Sequence, residues 1–136
     1  VQIPIVFTGK ICAYCGEETE LVEDEDIYGT SYGGKCYVCW PCGAWVGCHK
    51  GTEKALGRVA NKELRTAKMK AHDAFDQLWK RKRANATSVY GRKNARSLAY
   101  KWLSKQMGTA PILTHIGMFN LDQCKKVVEI CKPYLI

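Results

Sequence analysis

Cys12-Ala13-Tyr14-Cys15-Gly16 and Cys39-Trp40-Pro41-Cys42-Gly43 decide how the first third of this chain folds. The two Cys-x-x-Cys-Gly units supply four thiolates, the complement of a tetrahedral structural zinc site. One such unit alone is weak evidence, because redox motifs share it. Two with matching turn chemistry, with 23 residues between Cys15 and Cys39, specify a zinc ribbon. The glycine after each second cysteine suits a tight turn at positive φ that brings backbone amides toward the sulfurs. Four cysteine ligands close the coordination sphere, so the expected cofactor, one Zn2+ ion, holds structure and keeps no open position for a catalytic water. It replaces the hydrophobic core that about fifty residues cannot build alone.

Eight cysteines in 136 residues also fit a disulfide framework in a secreted domain. Against that, Val1 to Phe7 carries no basic leader and its apolar run is shorter than a signal h-region. No stretch approaches transmembrane length. The expected setting is reducing, intracellular and cytoplasmic, with no membrane partner and no small-molecule cofactor. Cys36 alternates with Cys39 across a strand and reads as a packed thiol. Cys124 and Cys131, seven residues apart on a helix and so roughly 10 Å from each other, read as buried small hydrophobes. Cys48, beside His49, stays open.

Charge divides the chain at the same place. Residues 1–50 hold Lys10, Lys35 and Lys50 against seven acids, all between Glu17 and Asp26, a net of −4. Residues 51–136 carry a net of +12, giving the overall +8. A polyanion partner would therefore meet the second half, not the ribbon.

The expected fold class is α+β: a β-rich zinc ribbon over residues 1–52, packed on a basic helical domain of about three α-helices over 53–136. Strands are expected near Leu21-Val22, at 35–39 and at 44–48, with a Gly-rich turn at 32–34. A long amphipathic helix capped by Asn61 should run to about Arg83, with Leu64, Ala67, Ala71, Phe75 and Leu78 on one face. Lys80, Arg81, Lys82, Arg83, then Arg92, Lys93 and Arg96 flank a segment without hydrophobic periodicity, read as a mobile basic loop near 84–94. A third element, Ser97 to Met107, turns Leu98, Trp102 and Met107 inward and stops at Gly108. The last helix opens on the capping box after Asn120 and ends before Pro133.

Several stretches together carry a resemblance. Ile27 to Gly34, Val38 to Thr52, Ala71 to Trp79, Ala99 to Leu103 and His115 to Phe119, with the first Cys-x-x-Cys-Gly, resemble a family of phage and prophage proteins described as zinc-finger-containing, without an assigned activity. The resemblance spans nearly the whole chain and implies zinc binding, a viral or mobile-element origin and, with it, a host-cell setting. The segment from Arg83 to Asn94 is longer and more basic than the usual connection there.

Cys48, His49, His72 and His115 are candidates for a second metal or acid–base site, weighed against ordinary half-buried structural histidines. Asp73 and Asp76 raise the question of a magnesium-dependent nuclease, but lack a partner carboxylate. Trp79, Trp102 and Trp45 read as core; Trp40 and Tyr90 read as surface aromatics. Three functions follow in order of support. The first is DNA or RNA binding, with Lys80 to Arg83, Arg92, Lys93 and Arg96 on phosphates. The second is a viral interaction module or inhibitor that docks on a host nucleic-acid-processing protein through its acidic face. The third is a metal-dependent nuclease, so that the chain reads more readily as a binding protein than as an enzyme.

Overall fold

The run Lys35-Cys36-Tyr37-Val38-Cys39 is β-branched, aromatic and thiol-bearing, and it becomes the central strand of the ribbon, buried on both faces from Cys36 onward. The computed structural model of the chain describes residues 4–135. In it β2 (Lys35–Cys39) pairs antiparallel with β1 (Glu20–Glu23) on one side and β3 (Ala44–Gly47) on the other. Cys39 faces Ala44 across the β2–β3 turn, which sets the second Cys-x-x-Cys unit in that turn. One face of the sheet packs Tyr37, Cys39, Ala44, Val46 and Val59 with Cys12, so two ligands belong to the ribbon's own core.

Between β1 and β2 the chain makes a single helical turn, α1 (Glu25–Tyr28), closed by Gly29 in the left-handed region. Asp24 is buried there, and its carboxylate accepts the Tyr32 and Gly34 amides at 3.1 Å each. That acid is spent on the Gly-rich loop, while Glu17, Glu18, Glu20, Glu23, Glu25 and Asp26 stay exposed.

The chain divides into two compact units, the first ending at Arg65 and the second starting at Thr66. The first extends that far through backbone pairing along the free edge of β3. Leu56 donates to Gly47 O at 2.9 Å, and Trp45 and Ala60 exchange both of their hydrogen bonds, at 3.1 and 2.9 Å. Tyr28 then meets the Trp45 ring edge-to-face at 5.1 Å, and the Arg65 guanidinium stacks on that indole at 4.6 Å. Single residues in bridge positions leave little periodicity to read.

The second unit contains most of α2 (Lys62–Asn85), α3 (Val89–Met107) and α4 (Leu121–Cys131). Asn61 Oδ1 caps α2 on the Leu64 amide at 2.9 Å, and Asn120 with Gln123 forms the reciprocal capping box of α4. Phe75, Leu103, Ile116, Phe119 and Val127 are fully buried, with Cys124 and Cys131 among them as small apolar side chains. The buried stripe of α3 is Ala95, Tyr100, Leu103, Ser104 and Met107, not the face of Leu98 and Trp102: Leu98 is 40% exposed.

The mobile loop expected near 84–94 is helix except at Ala86, Thr87 and Ser88. Ser88 Oγ accepts the Gly91 amide at 3.0 Å and starts α3 eight residues earlier than expected from periodicity. Lysine, arginine and alanine are good helix formers, so an absent apolar stripe there means an exposed helix turn, not a loop.

Gly9 closes the 3-10 turn Ile5–Thr8 at φ 74, and a Cβ on it would lie 2.8 Å from Ala55 Cβ and 3.1 Å from Val46 Cγ1. Both the backbone conformation and the space require glycine. Gly9→Ala should destabilise the zinc-loaded protein by about 2 kcal/mol or more, the sum of left-handed strain and overpacking, read by denaturant unfolding.

Candidate metal centre and basic helical surface

The first Cys-x-x-Cys unit sits in a small loop: the Cys12 amide donates to Glu17 O at 2.8 Å and the Gly16 amide to Cys12 O at 2.9 Å. In the second, the Gly43 amide donates to Trp40 O at 3.1 Å. Gly16 and Gly43 hold φ of 77° and 62°, the conformation their position in the motif called for. The Tyr14 amide points at Cys12 Sγ from 3.4 Å, a donor that favours the thiolate.

The four sulfurs of Cys12, Cys15, Cys39 and Cys42 all lie within 4.8 Å of one another. Cys15 and Cys39 are 3.7 Å apart at Sγ. That matches the edge of a tetrahedron with zinc–sulfur bonds of about 2.3 Å, roughly 3.8 Å, and is far beyond a disulfide of about 2.05 Å. All eight cysteines are free thiols. Hydrogen bonding to the Cys39 and Cys15 sulfurs pushes the Cys42 thiol up to about 12, the penalty for gathering four such groups without a cation. A dication reverses that penalty and deprotonates the set. The donor set therefore fits one zinc ion, fully enclosed by protein ligands, in a structural role.

Among the described residues no other three Cys, His, Asp or Glu side chains converge in this way. Cys48 belongs to the first unit, half-buried, with His49 exposed beside it. Within the second unit His72 and His115 share a neighbourhood. The His115 ring lies 5.2 Å from Tyr100, which stacks on Phe75 at 4.6 Å and carries the Arg96 guanidinium over its ring at 5.2 Å. Burial lowers the pKa of both histidines and the Arg96 charge lowers them further, with Asp76 acting the other way on His72. A guanidinium charge felt by both imidazoles opposes a metal cation there, and among the described residues Cys48, His49, His72 and His115 do not converge on a second site. Asp76 instead accepts the Trp79 indole N–H at 2.7 Å, and Asp73 is reached by Gln77 at 3.4 Å. Neither has a carboxylate partner for magnesium among the described residues.

The basic residues stand on helices. Lys80, Arg81, Lys82 and Arg83 occupy the last turns of α2, and Arg92, Lys93 and Arg96 the first half of α3, all exposed. Lys80 and Arg83 lie over the Trp79 ring at 5.7 and 5.0 Å, and Arg81 donates to Tyr134 O at 2.9 Å. Trp79 and Trp102, expected in the core, are half-buried, and both line an open groove in the second unit. The sequence signal for that groove was the placement of Trp79 directly before four cations; its other wall, with Tyr134, could not be read. Trp40 and Tyr90 are exposed as expected. Trp40 donates its indole N–H to Glu20 at 2.9 Å.

A four-thiol ribbon followed by a helical unit defines a zinc-finger protein. Residues 8–134 match the family model described as a zinc-finger-containing domain, and the chain belongs to that family. No match to the chain was found among curated proteins or among solved structures. No helix among the described residues is long and apolar enough to cross a membrane.

Two outcomes check these assignments. Purified protein should carry one zinc per chain by elemental analysis, and Cys39→Ser should lose both the metal and the ribbon fold; a folded, metal-free ribbon would contradict the site. In an NMR titration His72 should show a midpoint below 6.5, since burial resists its charging. The unfolded chain then binds the proton first, so the His72 contribution to stability is intact above about pH 6.5 and is lost as pH falls from there toward the folded midpoint.

Proposed function

We propose that this protein binds nucleic acid through the phosphate backbone, using the second unit, while zinc builds the ribbon. The observation that carries the reading is the fixed charge of Lys80 to Arg83 on α2 and of Arg92, Lys93 and Arg96 on α3. Residues 66–136 hold fourteen Lys and Arg against four Asp and Glu. Among the described residues none of Lys80 to Arg83, Arg92, Lys93 or Arg96 forms an ion pair with a carboxylate. Uncompensated cations on helices, several held in place by aromatic rings or a backbone carbonyl, are arranged to release counterions from a polyanion at little ordering cost. Phosphate contacts of this type position a strand without reading its sequence. A phage setting, which the sequence resemblance implies, suits such a role.

A second reading, docking on a host nucleic-acid-processing protein, draws on the six exposed acids around β1 and α1, whose charge is of the opposite sign. The nuclease reading has no support from the arrangement of Asp73 and Asp76.

Replacing Lys80, Arg81, Lys82 and Arg83 by Gln should weaken binding to labelled duplex or single-stranded DNA and RNA. It should also flatten the dependence of log affinity on log salt, by roughly 0.9 per lost duplex phosphate contact. Reversing Glu23 and Asp26 to Lys should leave that affinity no weaker. Wild-type protein that binds none of the three at moderate salt would end the proposal and favour the protein partner.

A further inference from the structure

The turn between α2 and α3 does more than join two helices. Beneath it the second unit opens a groove of about 960 Å³, walled by Trp79, Leu98, Trp102 and Tyr134 and edged by Arg81 and Lys82. The wall is aromatic and accessible. Leu98 and Tyr134 are 40% and 55% exposed, and Tyr134 meets Trp102 edge-to-face at 5.6 Å. No Asp or Glu lines the groove.

The cations at the rim are tied to the same wall. Trp79 is anchored by its N–H on Asp76, and its ring carries Lys80 and Arg83. Arg81 is held by the backbone carbonyl of Tyr134, itself a residue of the wall. Asn85 and Thr87, at the end of α2 and in the turn, add side-chain amide and hydroxyl groups to the lining. Flat apolar faces, fixed positive charge beside them and a few neutral hydrogen-bonding groups are what an unstacked nucleotide needs: a surface for the base and a counter-charge for the phosphate. A regular duplex keeps its bases stacked and offers no face to such a groove. An amphipathic peptide could fill the apolar volume, but its acidic flanks would have to match a rim of one sign.

Resting on the nucleic-acid reading above, we propose that this groove takes unstacked bases of a single strand. Trp102 and Tyr134 are the stacking partners, and Arg81 and Lys82 hold the adjoining phosphates. The α2–α3 hairpin is then a single-strand binding element, and the neighbouring basic residues lead the backbone to it.

Tyr134 is the position to change, because its ring is exposed and its backbone carbonyl, which holds Arg81, is kept in any variant. The zinc-loaded full chain, as wild type, Tyr134→Ala and Tyr134→Phe, is titrated with a labelled 15-nucleotide single strand and with the matching duplex across a salt series. Circular dichroism confirms folding of each variant. Tyr134→Ala should weaken single-strand binding by roughly five-fold or more, the low end of one lost base stack, and Tyr134→Phe should restore it. Because stacking is not ionic, the Ala line should shift parallel to wild type without a change of salt slope, and duplex affinity should move less than two-fold.

Equal losses on both nucleic acids, or no loss on either, would overturn the groove assignment while leaving the phosphate-binding reading standing. Binding of neither nucleic acid by the wild type would remove both. Displacement of the single strand by an acidic amphipathic peptide that binds more tightly would also overturn the inference, in favour of a protein ligand.

Discussion

Four thiolates brought within a few ångströms repel one another, and the N-terminal unit exists because a metal ion makes that arrangement favourable. Hydrogen bonds from neighbouring sulfurs push the Cys42 thiol up to about 12, so without a cation the cluster favours protonated sulfur there. Everything near it is built on the two turns that aim those sulfurs. Cys39 ends the central strand, Ala44 begins the next, and Cys12 packs into the same core as Tyr37 and Val46. The ribbon is thus a short sheet whose core is completed by its own metal ligands, which is how so few residues make a folded unit.

The second unit obeys different physics. Its core is ordinary apolar packing of Phe75, Leu103, Ile116, Phe119 and Val127, stopped and started by caps at Asn61, Ser88, Gly108 and Asn120. Its surface carries the charge. The two units divide the labour that a single fold often combines: one unit uses a metal for architecture, and the other displays a run of exposed cations on its helices. The zinc is accordingly remote from chemistry in role, since four protein ligands leave it no site for substrate or water.

Local signals were legible wherever one short-range rule dominated. The Cys-x-x-Cys-Gly turns, the strand at 35–39, the Asn61 cap, the Asn120 capping box and the glycine stop at 108 each depend on residues a few positions apart. The misreadings came where that condition failed. The basic stretch at 84–94 lacks apolar periodicity because both ends of that helical hairpin face solvent, and periodicity alone cannot tell an exposed helix turn from a loop. The inward face of α3 was assigned to Leu98 and Trp102, whereas Tyr100 and Leu103 are buried; a half-polar aromatic such as tyrosine gives no decisive hydropathy signal. Residues 55–60 join the ribbon through backbone bridges, which no side-chain pattern records.

By itself the sequence determined the metal and its four ligands, the α+β class, the order of the strands and principal helices, and the separation of acidic from basic halves. Those follow from residue identity, spacing and summed charge, all of which survive without coordinates. Only the tertiary structure decided that the Arg96–Tyr100 pair of α3 lies against Phe75 and His115 and electrostatically near His72 as well, which argues against a second metal. Only it placed Trp79, Trp102 and Tyr134 around one groove with Arg81 at its edge. Trp79, Trp102 and Tyr134 are tens of positions apart, and whether they meet is set by how the helices pack, a long-range consequence of the whole core that no local rule contains.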